Sequence, residues 1–216
     1  MIRYLLTNPD KILIPLSRHL EIVLITLAIS VLLAGALTAL SAAIPRLGAF
    51  LVQLFSVIYS IPSMALFALL IPLTGLGISS AVTVLVIYNQ YLLLRNFLTG
   101  LNEVDPGIRE AARGIGMTRL QILRRIQVPL ALPAIFAGIR LAMVSTIGIA
   151  TIASCINAGG LGDLLFSGMR TQNIVKILWG SVLSAGLAIA MDALLKHGEK
   201  HAVRKMKQAE RKGDVR

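Results

Sequence analysis

The sequence predicts an all-α polytopic membrane protein of about five transmembrane helices, with a two-helix loop on its cytoplasmic side. Three observations carry this. Residues of the set AVILMFWYC make up 56% of the 216, and charged residues only 14%, where a water-facing domain carries roughly a quarter. Residues 47–94 form a run of 48 without a single Asp, Glu, Lys or Arg, more than twice the ~20 residues that cross a bilayer as helix. The remaining charge is lopsided, 21 Lys plus Arg against 10 Asp plus Glu for a net +11.

In a soluble chain that excess would raise nucleic acid as a partner. Here it gathers between and after the apolar runs, where the positive-inside rule accounts for it, so no nucleic acid is expected. The lone Cys155 excludes an internal disulfide and a Cys-rich metal site. Arg3, Asp10, Lys11, Arg18 and two prolines interrupt the first 19 residues, so no cleavable signal peptide is expected there.

Five runs are long enough to cross, at about 20–43, 48–73, 78–98, 130–155 and 174–195. Pro62 interrupts the second and predicts a kinked but single helix, because two halves of ~13 residues would each be too short to span. Outside the spans, one set of segments (Arg46, the loop 95–129 and the tail) holds fifteen Lys and Arg, and the opposite set holds five. The richer set belongs in the cytoplasm, which puts the C-terminus inside and, after five crossings, the N-terminus outside. The expected organisation is an extracytoplasmic segment 1–19, a permeating domain 20–195 and a basic cytoplasmic tail 196–216.

The loop 102–129 carries the most local information. Asp105-Pro106 reads as helix cap and first helical position. Ile108, Ala111, Ala112 and Ile115 follow at i, i+3, i+4 and i+7, one apolar stripe. Gly114 and Gly116 end that short helix. Thr118-Arg119-Leu120-Gln121 has the form of a capping box and opens a second helix running to Pro129. Taken alone, such an elbow is either a connector packed on its own bundle or a projection offered to a partner.

Glu110-Ala111-Ala112, Gly116, Ile126 and Pro129 match the pattern E-A-A-x3-G-x9-I-x-L-P, with Val128 at the pattern's Leu, and in this the chain resembles the permeases of ABC importers of type I fold. The resemblance covers about residues 20–195. Ser60-Ile61-Pro62-Ser63-Met64-Ala65-Leu66, 71–77 and Gly159-Gly160-Leu161-Gly162-Asp163 are similar to osmoprotectant permeases for glycine betaine, carnitine or choline, although the last motif is shared with methionine-type permeases. The resemblance implies that the elbow is the element coupled to a cytoplasmic ATPase, with Glu110, Ala111, Ala112, Gly116, Ile108 and Ile115 at the contact. It also implies a second permease subunit, two ATPase subunits that bind ATP and Mg, and an extracytoplasmic substrate-binding protein. The tail departs from the family pattern.

The residues agree with that division of labour. There is no G-x-x-x-x-G-K-[ST] loop, so no cofactor is expected on this chain and it is not expected to be an enzyme. Arg140, Glu21 and Asp192 are the few ionisable groups in or beside spans, and they read as interfacial or structural. One Trp, four Tyr and six Phe look scattered, too few for a cage around a quaternary ammonium. Trp179 reads as an interface anchor. Candidate pathway residues are Tyr59, Ser60, Pro62 and Ser63 around the proline, the costly pair Asn89 and Gln90, and Ser145, Thr146, Thr151 and Ser154 in the fourth span, where the hydroxyls equally suit helix packing. An ion-driven secondary transporter and a non-transporting scaffold remain the alternatives from other classes.

Overall fold

The computed structural model describes residues 6, 7 and 9–213, and its regular structure is helical throughout. In chain order, α1 is Asp10–Ala43, α2 Pro45–Tyr59, α3 Ser63–Thr74 and α4 Ile78–Asn102. The elbow is α5, Pro106–Gly114, and α6, Arg119–Ile122, the latter continued by a π-helical turn Leu123–Gln127 and the short turn Val128–Leu130. Then come α7, Leu132–Ile152, a 3-10 turn Ala153–Ile156, α8, Leu161–Arg170, and α9, Ile174–Gly213. Helices are forced here because hydrocarbon offers no partner to an open N–H or C=O, and a helix satisfies both within one segment.

Helix α4 is the hub. It packs on α1, α2, α3 and α7, while α9 lies against α7 and α8 at the periphery. In the most apolar window of α4 61% of the residues are buried, against 6% in α9. The side chains of Asn89, Gln90 and Tyr88 therefore sit inside the protomer rather than facing lipid.

The second apolar run is a broken span. Helices α2 and α3 meet at 100° across 60–62, where Pro62 takes an extended ψ of 135°. Three contacts place this pair across the bundle. A side chain at Gly48 would meet Leu98 near the elbow end of α4. The Tyr88 hydroxyl, midway along α4, donates to the carbonyl of Ile61. The Gly77 amide donates to the Ile156 carbonyl at the far end of α7, 2.8 Å away. The pair thus runs from the elbow end to the opposite end, and the chain crosses five times. The expected kink is corrected to a full break. The two halves need not each be long, because they share one crossing and α4 supplies the donor that a free carbonyl needs at mid-depth.

Two boundaries also move. Helix α1 starts at Asp10, ten residues before the expected span, because Pro15 removes only one bond near the helix's outer end, where water can serve the Lys11 carbonyl. Residues 1–5 and 8 of the expected segment 1–19 lie outside the described residues. Residues 196–213 of the expected tail continue α9 as one 40-residue helix, about 60 Å at 1.5 Å per residue. Residues 214–216 lie outside the described residues.

At the end opposite the elbow, His19 of α1 ties the chain reversal after α7. Its Nε2 lies 3.2 Å from the Ile147 carbonyl and its Nδ1 accepts the Leu161 amide at 3.4 Å. One tautomer, with the proton on Nε2, serves both. Helix α8 then packs on the end of α7 so closely that a Cβ at Gly162 would lie 1.9 Å from the Thr151 carbonyl oxygen. Gly162→Ala should therefore cost ~1–3 kcal/mol by overpacking, seen as a lowered Tm in detergent. Gly35→Ala, which meets nothing within 4 Å, should leave Tm unchanged or raised; equal Tm values for the two variants would refute the close-packing account.

Candidate functional site

The elbow is built by local chemistry. Asp105 caps α5 by accepting the Gly107 amide at 2.6 Å, with Pro106 at the first position. Thr118 and Gln121 form a reciprocal capping box, at 3.3 Å and 2.8 Å, that opens α6. Between them Gly116 holds φ +85°, a region that costs other residues ~1–3 kcal/mol. The second helix does not run regularly to Pro129. It widens into the π-helical turn, because Pro129 has no amide to offer the carbonyl four residues earlier. Gln127 ties this turn back to α4, its Nε2 donating to the Leu101 carbonyl at 3.1 Å.

The apolar stripe divides. Ala112 is buried at 3% exposure, whereas Ile115 is 80% and Ile108 45% exposed, and Glu110 and Ala111 are also on the outside. Ala112 was expected on the partner side with Ala111, but it faces its own bundle. At 100° per residue, Ala112 lies just over a quarter of a turn from Ala111, and a nine-residue helix lying on a bundle must bury one line of side chains. What projects is Ala111, Ile115 and part of Ile108, with Glu110 beside them.

Around the break, three of the four tyrosines converge. The Tyr59 ring lies edge-on to Tyr88 at 5.5 Å and tilted against Tyr91 at 5.1 Å. Arg95 donates to the Tyr91 hydroxyl at 2.6 Å, its guanidinium 5.8 Å from the ring centre. The sequence reading had the aromatics scattered. The i, i+3 spacing of Tyr88 and Tyr91 was the available signal, but Tyr59 joins them only through the fold. Ser60 is exposed and its hydroxyl donates to the Val57 carbonyl at 2.7 Å; Ser63 begins α3 and is half-buried.

The remaining polar candidates do not gather with this cluster. Asn89 is buried between α1 and α7, its Nδ2 donating to Thr146 Oγ1 at 2.9 Å and Ser30 Oγ at 3.2 Å. Gln90 Nε2 donates to the Val86 carbonyl at 3.1 Å, and its Oε1 has no partner. Ser154 and Thr151 donate to carbonyls of their own turn, at 3.0 and 2.7 Å, and Ser145 is half-buried. The Asn89 bonds join α4 to α1 and α7, as polar side chains do between helices in lipid, whereas the bonds of Gln90 to Val86, Thr151 and Ser154 stay within one helix or turn. Arg140 is likewise structural, as expected: it grips Asp192 in two bonds of 2.7 and 3.2 Å and reaches Glu199 at 3.4 Å.

Asp163, on α8 outside the spans, lines a cavity of about 390 Å³ with Asp10, Lys11, Ser167 and Lys176. Burial pushes its carboxyl up, partly opposed by Arg170. No cluster of His, Cys, Asp and Glu able to hold a metal occurs among the described residues.

With the elbow and five crossings established, comparison with known proteins decides the family. Residues 31–201 match the binding-protein-dependent transport system inner membrane component family. This chain is a permease of that family. It is 39% identical over 204 residues to the osmoprotectant import permease protein OsmW of Salmonella typhimurium, covering 90% of this chain and 93% of that one. It is 35% identical over 195 residues to the glycine betaine/carnitine/choline transport system permease protein OpuCB of Bacillus subtilis, covering 90% of each. Its fold matches a subunit of the inward-facing MetNI methionine ABC transporter with a TM-score of 0.75, at 20% identity and over 90% and 95% of the two chains. The permease is thus a multi-pass inner-membrane transport subunit with the type I ABC importer fold.

The exposed side of α5 sets a test. Ile115→Asp adds a charge to the projecting apolar face without touching a span, and Gly116→Val strains the corner. Both permease variants should insert normally yet lose at least ~90% of ATPase captured per permease, the scale of an interface anchor removed. Wild-type capture by both would reduce the elbow to a connector.

Proposed function

We propose that this permease imports a betaine-like osmoprotectant, such as glycine betaine, carnitine or choline, handed over by an extracytoplasmic binding protein and driven by ATP hydrolysis on two cytoplasmic ATPase subunits. The observation that carries the mechanism is the elbow. An apolar edge (Ala111 and the 80%-exposed Ile115) stands out on a helix capped at its start by Asp105 and ended by the Gly116 corner, the form that a groove on a partner takes up. ATP and Mg act on that partner. Closure of the ATPases moves the elbow, and α4 and α7, joined directly to it, carry the motion to the break in the second span. A second copy of the chain or a paralogue completes the membrane channel.

The substrate class rests on what the similar permeases are named for, with support from Tyr59, Tyr88 and Tyr91 at the break. Tyrosine faces attract quaternary ammonium, but three rings packed against one another make a weak site. Affinity is left to the binding protein. The purified permease alone should bind glycine betaine no better than about millimolar, on the order of −4 kcal/mol. In proteoliposomes holding permease, ATPase and binding protein, labelled betaine uptake should require ATP. Uptake driven instead by a sodium or proton gradient without ATP would favour a secondary transporter, and methionine uptake with none of betaine, choline or carnitine would replace the substrate.

Orientation follows from the charge asymmetry, with the elbow and C-terminus in the cytoplasm and the N-terminus outside. After replacement of Cys155, a cysteine at Leu76, exposed between α3 and α4, or at Asp163 should react with an impermeant thiol reagent on intact cells. One at Gly107 should stay unlabelled, and labelling there would reverse the topology.

A further inference from the structure

Behind the elbow lies a cavity of about 670 Å³, within the size range of small-molecule sites. Four arginines from three elements line it: Arg95 at the end of α4, Arg109 and Arg113 on α5, and Arg119 on α6. Among the described residues no carboxylate lines it, and the ion pairs found there involve Arg18 and Arg140 instead. Like charges brought together at a low-dielectric wall repel one another and focus a positive potential into the cavity. Thr38 of α1, 6% exposed, lines the same cavity, and its hydroxyl is one of the few buried side-chain groups with no hydrogen-bond partner.

From this geometry we propose that the cavity binds the phosphate headgroup of an anionic phospholipid. Guanidinium forks suit phosphate oxygens in paired, charge-assisted bonds, and the end of α1 (Thr38, Ser41, Ala42) closes the cavity beside them. The rest of the lining favours a lipid over a free ion. Ala49 and Val52 of α2 and Leu98 of α4 give it an apolar side, continuous with the inner ends of spans, where basic pockets meet lipid headgroups. A carboxylate of the ATPase fits less well. Arg109 and Arg113 stand about 120–160° around the helix axis from Ala111 and Ile115, at 100° per residue, so the cavity faces the spans while the apolar edge faces outward. A bound headgroup bridges α1, α4 and both elbow helices, and holds the elbow against the spans that it moves.

The inference rests on the cytoplasmic placement of the elbow, which the labelling at Gly107 tests separately. The lipid measurement reads occupancy of the cavity whichever side it faces. The permease with its ATPase subunits, purified in detergent, is offered phosphatidylglycerol or phosphatidylcholine and the retained lipid is counted by native mass spectrometry. Wild type should retain phosphatidylglycerol in preference to phosphatidylcholine, and millimolar inorganic phosphate should not displace it. Arg113→Gln with Arg119→Gln should lower retention by at least ~5-fold through lost charge-assisted bonds, and Arg113→Lys with Arg119→Lys should restore part of it. Arg113→Gln alone decides the matter if the double variant does not assemble: retention should fall, and unchanged retention overturns the site. Equal retention of the two lipids, or full displacement by inorganic phosphate, overturns the lipid assignment. So does loss of the ATPase from the double variant with phosphatidylglycerol retention intact, which would mark the arginines as an ATPase contact.

Discussion

A backbone carbonyl set free in the middle of a bilayer must find a donor inside the protein, and Tyr88 meets that demand at Ile61. Much else follows from it. The donor must come from a neighbouring helix, so α4 has to lie against the break, and its position at the hub gives the tyrosine a dry setting. With Ile61 satisfied, the second span is free to turn through 100° rather than bend gently, and the turn brings Tyr59 onto Tyr88 and Tyr91. Asn89, the next residue along α4, points into the joint with α1 and α7, where Ser30 and Thr146 receive it. Hub, break and aromatic cluster are three aspects of one set of contacts along a single face and edge of α4.

The same economy appears at the elbow. Its two short helices could not persist in isolation, since nucleation is unfavourable and few bonds repay it. Caps at Asp105 and Thr118 and the positive φ of Gly116 fix the corner, while Ala112 underneath and Gln127 behind fasten it to the bundle. Fixed in this way the corner is stiff, so a displacement applied at one end reaches the other instead of being absorbed.

What could be read from the sequence was what is encoded locally or by composition. Apolar runs gave the number of crossings, and Asp105-Pro106, Gly116 and Thr118-x-x-Gln121 gave the elbow, because each cap acts within three residues of itself. The family pattern at Glu110-Ala111-Ala112 agreed with them. The break escaped because Pro62 alone specifies a lost bond and not an angle; the angle depends on Tyr88, 26 residues away. Tyr59 joins the other tyrosines for the same reason. Asn89 was singled out correctly as costly to bury, but its partners on α1 and α7 show that the cost is met by helix packing within the protomer. The end of α9 was hidden by its polarity, since a helix leaving the membrane loses the apolar signal while keeping its backbone bonds. Arg140 was read as structural, and Asp192 and Glu199, seven residues apart on one side of α9, are the reason.

That double grip gives α9 a mechanical character. Arg140 holds it at two points two turns apart, so α9 cannot roll or slide on α7 without breaking one of them. Beyond Asp192 the helix runs on to Gly213, about 31 Å at 1.5 Å per residue. It is therefore a pointer clamped to the helix that leads out of the elbow. A tilt of about 10° at the clamp swings its far end by roughly 5 Å over that length, so any tilt of α7 is magnified at the end of α9.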